Sequence, residues 1–547
     1  MADELLLLPT PRKLERLGGF TERREPLTSR DPSLPAEGYR LRITPTETRL
    51  IAADDAGERH GRATLAQLPR HLPCLAIDDE PLFPIRGAML DVSRDRIPTM
   101  AEFRRLIPQL ASFKFNHLQL YVEHTVAYAG HEAAWRGLDP LTPEELRTLD
   151  DLCTAHGIEL AANQNCFGHL SGFLKLPAYQ HLAEIAVDGT WDFNGLVTRT
   201  GPFSLCPSEP GALPFVADLL GQLTPLIRSP WLNIGCDETF DIGQGRSRAA
   251  VASRGRAQVY LDFVSEVCAI AQRLGKRPQF WADIALEHPE ALADLPADLC
   301  GLAWGYEGDA QFSRWVQQLT AVGREAWVCP GTSSWRSITG RTSDRRANLL
   351  AAVAAREHGA EGFLVTDWGD LGHRQQWPIA LHGLAEAAHR AWSGDAPYDS
   401  RTAGLHAHGE AALGPWLDQL GDADRHLRLI GGKRQPDGTR APLRNATALF
   451  TELHLREDYL GDAGTWQELD ERLQQFSRAD LPQECAHALR VARFACARAV
   501  ARRTGAKTPD DELRAIIAEH RELWLRRSRP GGLQASCSHY EAVLENR

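Results

Sequence analysis

The sequence contains no Cys-x-x-Cys pair, no Gly-x-Gly-x-x-Gly turn opening a helix after a strand, no dense basic patch and no long apolar run. Eleven irregularly spaced cysteines in 547 residues argue against a zinc site or a disulfide framework and read as reduced, mostly buried thiols. Without the glycine-rich turn, a doubly wound dinucleotide-binding fold lacks its signature. A net charge of −11, with arginines scattered among acids, argues against a nucleic-acid partner. The acidic start Met1–Glu4 and the short run Leu5–Leu8 fit neither a secretory leader nor a membrane span, so a cytoplasmic protein is expected.

What is present is an alternation of two patterns between residues 85 and 392. The apolar runs Ile85–Asp91, Phe115–Val122, Ile158–Gln164, Trp231–Cys236, Pro278–Asp283, Cys300–Gly305, Glu325–Pro330 and Glu361–Asp367 predict eight strands. Between them Thr99–Ser112, Thr142–His156, Gln258–Leu274, Arg345–His358 and Pro378–Trp392 repeat apolar residues every three or four positions and predict helices. Eight strand–helix units over roughly 300 residues match a (β/α)8 TIM barrel. Ahead of it, Tyr39–Thr44 and Thr48–Ala52 alternate apolar and polar residues around Pro45, and Ala52–Gly57 reads as a second turn, which predicts a small α/β domain. Beyond 395 the strand signal fades, and Ala441–Tyr459, Thr465–Ser477, Gln483–Arg503 and Asp510–Arg527 predict a helical domain. The expected division is 1–80, 81–395 and 396–547. The tail then reads as a cover for a barrel edge, a docking face for a second copy in a homo-oligomer, or an added wall of the site.

Catalytic groups of such barrels gather where strands end, and these ends are rich in carboxylates and indoles. Arg86 lies in the first strand, Glu123 and His124 close the second, and Asn163-Gln-Asn-Cys-Phe-Gly-His169 follows the third. The fourth leads through Gly235 to Asp237 and Glu238, the fifth to Trp281 and Asp283, and the sixth to Trp304 and Tyr306. The seventh leads to Trp335 and the eighth to Thr366-Asp-Trp-Gly-Asp370, with Trp368 inside it. Barrel interiors favour branched aliphatics, so four indoles here suit the wall of a sugar pocket, where rings stack on C–H faces and charges pair with hydroxyls. The alternative for each is packing between barrel and helices. Side-chain alternation would aim Asp237 and Glu238 at two atoms of one substrate, though the same acids also suit a first helical turn. Arg86 and Asp370 read as hydroxyl ligands or as salt-bridge partners, and His169 as an orienting group or a satisfied loop histidine.

Arg86-Gly-Ala-Met-Leu-Asp91, Asn163–His169, Asn233-Ile-Gly-Cys-Asp-Glu238, Trp281-Ala-Asp283 and Thr366–Asp370 together resemble glycoside hydrolase family 20, the β-N-acetylhexosaminidases, and more closely its hexosaminidase D-like branch. Gly61–Leu68 also resembles the end of the small domain that precedes the barrel in that family. The resemblance implies an exo-acting retaining enzyme that removes terminal GlcNAc or GalNAc and uses no cofactor or metal. In it the substrate's own acetamido oxygen attacks the anomeric carbon, Asp237 orients the acetamido group and Glu238 is the acid and base. Such a donor needs its pKa raised toward the working pH. Arg86 and Asp370 would hold sugar hydroxyls; Trp281, Trp304 and Trp368 would line the pocket; Trp335 or Tyr306 would contact the acetamido group; and Glu123 or His124 would support His169. Two other readings stand beside this one: a non-catalytic amino-sugar-binding barrel, and a metal-dependent hydrolase using His117, His124, His169 or His373 with Asp367.

Overall fold

The computed structural model describes residues 5–94, 96–431, 442–454 and 461–545. The chain opens with a five-stranded sheet, β1 (Lys13–Glu22), β2 (Leu27–Arg30), β3 (Tyr39–Ile43), β4 (Thr48–Ala52) and β5 (His71–Asp79), in the order β1-β5-β3-β4-β2. The alternation in β3 buries Tyr39, Leu41 and Ile43 in one core with Leu65 and Leu68, from the helix Asp55–Gln67 and the residue that caps it. The second turn is shorter than its composition suggests, because Asp54 accepts from the Gly57 amide and starts that helix. Gly57 thus falls in the first helical turn, where a Cβ would lie 2.4 Å from the Gly38 carbonyl oxygen. The Met1–Glu4 start lies outside the described residues.

All eight predicted barrel strands form. They are β6 (Ile85–Asp91), β7 (His117–Tyr121) and β8 (Glu159–Asn163), then, after an inserted hairpin β9 (Thr190–Phe193) and β10 (Val197–Thr200), β11 (Trp231–Asn233), β12 (Arg277–Trp281), β13 (Cys300–Trp304), β14 (Ala326–Cys329) and β15 (Gly362–Asp367). The sheet closes where β15 pairs in parallel with β6 over six residues. Parallel strands wrapped by helices are buried on both faces, so they read as near-continuous apolar runs. The interior, however, is partly polar. Gln119 donates to Gln279 at 2.8 Å and accepts from Asn163 and Asn233 at 3.0 Å each, an amide layer beneath the strand ends.

Helices Met100–Ser112 and Pro143–Ala155 start where Thr99 and Thr142 cap them, the second with a capping box to Glu145. The tail is helical: Ala463–Gln474, Gln483–Thr504 and Asp510–Arg527 enclose a core around Trp466, Leu469, Phe494 and Ile516, joined by Leu533–Glu545, which the pattern missed. Of the predicted helix Ala441–Tyr459 the described part holds Ala448–Glu452, and its ends lie outside the described residues. The tail is tied to the barrel: Arg529 N donates to Ile97 O, Thr99 N to Arg527 O, and the side chain of Ser536 bonds the Gly372 carbonyl. Among the described residues no helix is long and apolar enough to cross a membrane.

Candidate active site

The ladder of β11 stops at Asn233, and residues 234–239 follow as irregular backbone rather than a helix, which removes the helical-turn reading of Asp237 and Glu238. The turn is sharp: Gly235, Cys236 and Glu238 have φ of +71°, +75° and +51°. A side chain at Gly235 would meet Asn165 Oδ1 at 2.1 Å, so only glycine passes there. Left-handed backbone at Cys236 and Glu238 costs roughly 1–2 kcal/mol per residue, and surrounding bonds must hold it. Gly235 N donates to Asn233 Oδ1 and Trp281 N to Gly235 O, both at 3.0 Å; Tyr260 Oη donates to Cys236 O at 2.9 Å, and Glu238 N to Asp283 Oδ2 at 3.0 Å. The amide layer thus fixes the acids through Asn233.

His169, itself at φ +59°, sits between them. Its Nε2 lies 3.2 Å from Asp237 Oδ2 and 3.5 Å from Glu238 Oε2, and its Nδ1 lies 3.5 Å from Glu123 Oε1. Burial opposes a charge on the ring, yet three carboxylates, Asp237 foremost, hold its pKa well above the ordinary value. Glu123 is buried too, but Arg94 and His169 hold it down at about 2. Glu238 is pulled below the usual range: burial pushes it up, and the pull of His169, Arg199 and Arg94 prevails. This corrects the expectation of a raised donor, because the nearest charge is a cation. Asp283 goes the other way, pushed well up by burial and by the Asp237 carboxylate.

The cleft around these acids is lined by Trp281, Trp304, Tyr306, Trp368, Asp370 and Arg94, and also by Asn445 from the tail. Trp368 Nε1 donates to Tyr306 Oη at 2.7 Å, and Tyr306 stacks on Trp304 with ring centres 5.3 Å apart. Asp237 Oδ1 and the indole nitrogens of Trp281 and Trp304 are buried with no hydrogen-bond partner among the described residues. Arg94 lies 3.3 Å from Glu123 and 3.4 Å from Asp91, and 3.8 Å from Asp370, above the Tyr121 and Trp368 rings. Asp91 accepts from the Ser93, Arg94 and Gly369 amides and so joins the Arg94 and Asp370 loops; burial lifts its pKa to about 6. Asn445, at φ +48°, has its amide on Glu307 and its side-chain oxygen 3.3 Å from Arg341.

Two site expectations need correction, those for Arg86 and Trp335. Arg86 is at the opposite end of β6 from the acids: it is 1% exposed, bonds Glu37 at 2.5 Å and the Lys114, Phe83 and Pro84 carbonyls, and lies over Trp392. Residue 86 is the second of its strand, and strand direction alone would have excluded it; the arginine that reaches the cleft is Arg94, three residues beyond the strand. Trp335 is fully buried behind the cleft and packs edge-on against Tyr306 at 4.8 Å, leaving the wall to Tyr306. Of the histidines of the metal reading, His124 and His169 both lie beside Glu123, at 3.9 and 3.5 Å from its oxygens, while His117 and His373 are held elsewhere. His117 opens β7 with its edge on Trp327, His124 packs on Gly172, and His373 fills the space under Gly369, where a Cβ would come within 1.8 Å of its ring. Among the described residues no group of three or more His, Cys, Asp or Glu could hold a metal ion. Asn445 carried no signal in the sequence, for nothing links a tail residue to a strand end.

A curated β-hexosaminidase of Akkermansia muciniphila is 26% identical over 320 residues, 52% of this chain and 63% of its own length. Hexosaminidase D of Bos taurus is 24% identical over 222 residues, 39% of this chain and 60% of its own. The chain therefore spans less than two thirds of either relative. The solved structure of a Flavobacterium johnsoniae chitobiase has the same fold, with a TM-score of 0.60 at 16% identity over 99% of both chains. Residues 7–80 match the profile of glycosyl hydrolase family 20, domain 2, and residues 83–330 that of the family's catalytic domain, so the chain belongs to glycoside hydrolase family 20.

Proposed function

We propose that the protein is an exo-acting, retaining β-N-acetylhexosaminidase that cleaves terminal GlcNAc or GalNAc by substrate-assisted catalysis. The observation that carries this reading is the strained turn that sets Asp237 and Glu238 side by side at an indole-walled cleft, with His169 between them. Asp237 Oδ1, buried and without a partner among the described residues, is offered to the acetamido N–H. Tyr306 accepts from Trp368, so its own hydrogen is available to the acetamido oxygen. That oxygen then attacks the anomeric carbon as the glycosidic bond breaks, and the Glu238 proton passes to the departing oxygen. Asp237 stabilises the positive charge on the resulting oxazolinium ring. Glu238, now a carboxylate, takes a proton from water as the water oxygen bonds to the anomeric carbon, opening the ring with net retention.

Arg94 and Asp370 bind hydroxyls of the terminal sugar, while Trp281, Trp304 and Trp368 bury its faces. His169, charged and shared by both acids, orients Asp237 and serves as proton store for Glu238. A reducing, cytoplasmic setting is supported by eleven buried cysteines, all of them free. The test is release of phenol from aryl N-acetyl-β-glucosaminide and N-acetyl-β-galactosaminide by the purified chain. Turnover of at least one is expected, their ratio reports the preferred sugar, and inertness toward both contradicts the reading.

A further inference from the structure

Arg199, on the inserted hairpin β9–β10, has no place in the mechanism above. Its guanidinium carbon lies 3.7 Å from the Phe193 ring centre, 5.5 Å from Phe203 and 5.6 Å from Trp191. Among the described residues no carboxylate or carbonyl pairs with its guanidinium, which rests on these aromatic faces. Other arginines of comparable exposure have acid partners: Arg246 pairs with Glu209, Arg228 with Asp150 and Asp151, and Arg490 with Glu512. A half-buried guanidinium fixed on rings and lacking an anion is preorganised to receive one.

The hairpin stands beside the proton donor. Phe203 packs on His169 with ring centres 4.6 Å apart, and Phe193 packs on Phe240, two residues after Glu238, at 5.1 Å. Gln244 clamps the hairpin to this loop by bonding Asp192 N, Asp192 O and Phe240 O. Arg199 is absent from the cleft wall that would hold the terminal sugar, yet Glu238 and Asp370 lie within its electrostatic reach. Glu238 marks the side where the leaving oxygen departs, so a group beside it, outside the sugar pocket, faces the aglycone.

We infer that Arg199 forms a leaving-group subsite that selects an anionic aglycone, an acidic sugar whose carboxylate or sulfate pairs with the guanidinium. The inference rests on the hydrolase reading and deepens it. It also couples binding to chemistry, because an anion on Arg199 offsets one of the cations that hold Glu238 as a carboxylate and so favours the protonated donor.

The experiment compares kcat/KM for N-acetyl-β-glucosaminyl-1,4-glucuronate with that for the same disaccharide ending in glucose, and with a 6-sulfated glucose as third arm, in the wild type, R199M and R199K. The wild type should prefer at least one anionic substrate by about tenfold or more, with the preferred arm identifying the anion and the preference shrinking as salt rises. R199M, which keeps the packing stem, should remove that preference, and R199K should restore part of it. Calorimetric binding of the same disaccharides to Glu238→Gln protein, with and without R199M, reads the subsite without turnover. Lack of turnover with every substrate would count against the hydrolase reading, leaving the binding ratio to decide on Arg199. A ratio near one in the wild type, or one that R199M leaves unchanged, overturns the inference.

Discussion

Each end of β6 leads to an arginine among acids and aromatic rings, and the two clusters are finished to different degrees. At the start of the strand Arg86 meets Glu37, His60, Lys114, Asp79 and Trp392, and every charge has a partner: Lys114 Nζ lies 2.8 Å from Asp79, the Trp392 indole donates to Asp79 at 2.9 Å, and His60 bonds Glu37 at 2.8 Å. Beyond its end Arg94 meets Asp91, Glu123 and Asp370, and beside them Asp237 Oδ1 and two indoles lack hydrogen-bond partners among the described residues. Residue types are nearly the same at both ends. Positive φ is found at both ends, at Glu37 and Lys114 as at Cys236 and Glu238, so what separates a structural ion cluster from a candidate site is the unspent hydrogen-bonding capacity.

Four substitutions break this comparison, in order of expected effect. Glu238→Gln should lower kcat on an aryl N-acetyl-β-glycoside by about 10²–10⁴-fold, the usual range for a general acid, with thermal stability little changed. Asp237→Asn should cost about 10²–10³-fold, confined to substrates that carry the acetamido group. Arg86→Met and Arg94→Met form the sharpest pair. The first takes from Glu37 its guanidinium partner and should cost about 3–5 kcal/mol in denaturant unfolding with KM unmoved. The second should lower kcat/KM roughly 10–100-fold, the cost of one or two hydrogen bonds from a charged group.

Two pH effects are smaller. Glu37 is held down at about 2 against its ordinary 4.5, because His60 and Arg86 outweigh burial, so its contribution to stability is complete above pH 4.5 and is lost as pH falls toward 2. Glu37→Gln should lose stability at neutral pH and show a shallower acid decline, measured by unfolding at a series of pH values. At the other end His169→Asn removes the cation that depresses Glu238, and the alkaline limb of the kcat/KM profile should move to higher pH even as the rate falls.

Much of the fold was legible because burial on both faces writes parallel strands as apolar runs, and each of the eight appears within a few residues of its predicted span. The hairpin β9–β10 was not legible: most of its residues are exposed, so no periodicity marks it. The acids were readable from Gly235 and the strand end, as were Trp281, Trp304, Trp368 and Asp370. Arg86 misled because the motif that carries the resemblance begins with it, although it lies on the wrong side of the barrel. Side-chain electrostatics were the hardest to read. Glu238 was expected to have its pKa raised toward the working pH, and the charge on His169 reverses that.

The central claim is that the substrate supplies its own nucleophile, positioned by Asp237. Its most direct measurement is the ratio of kcat/KM for an aryl 2-acetamido-β-glucoside over its 2-hydroxyl counterpart, in the wild type and in Asp237→Asn. The account predicts a ratio of about 10² or more in the wild type that collapses in the variant. Comparable turnover of the two glycosides, or a ratio indifferent to Asp237, would contradict it.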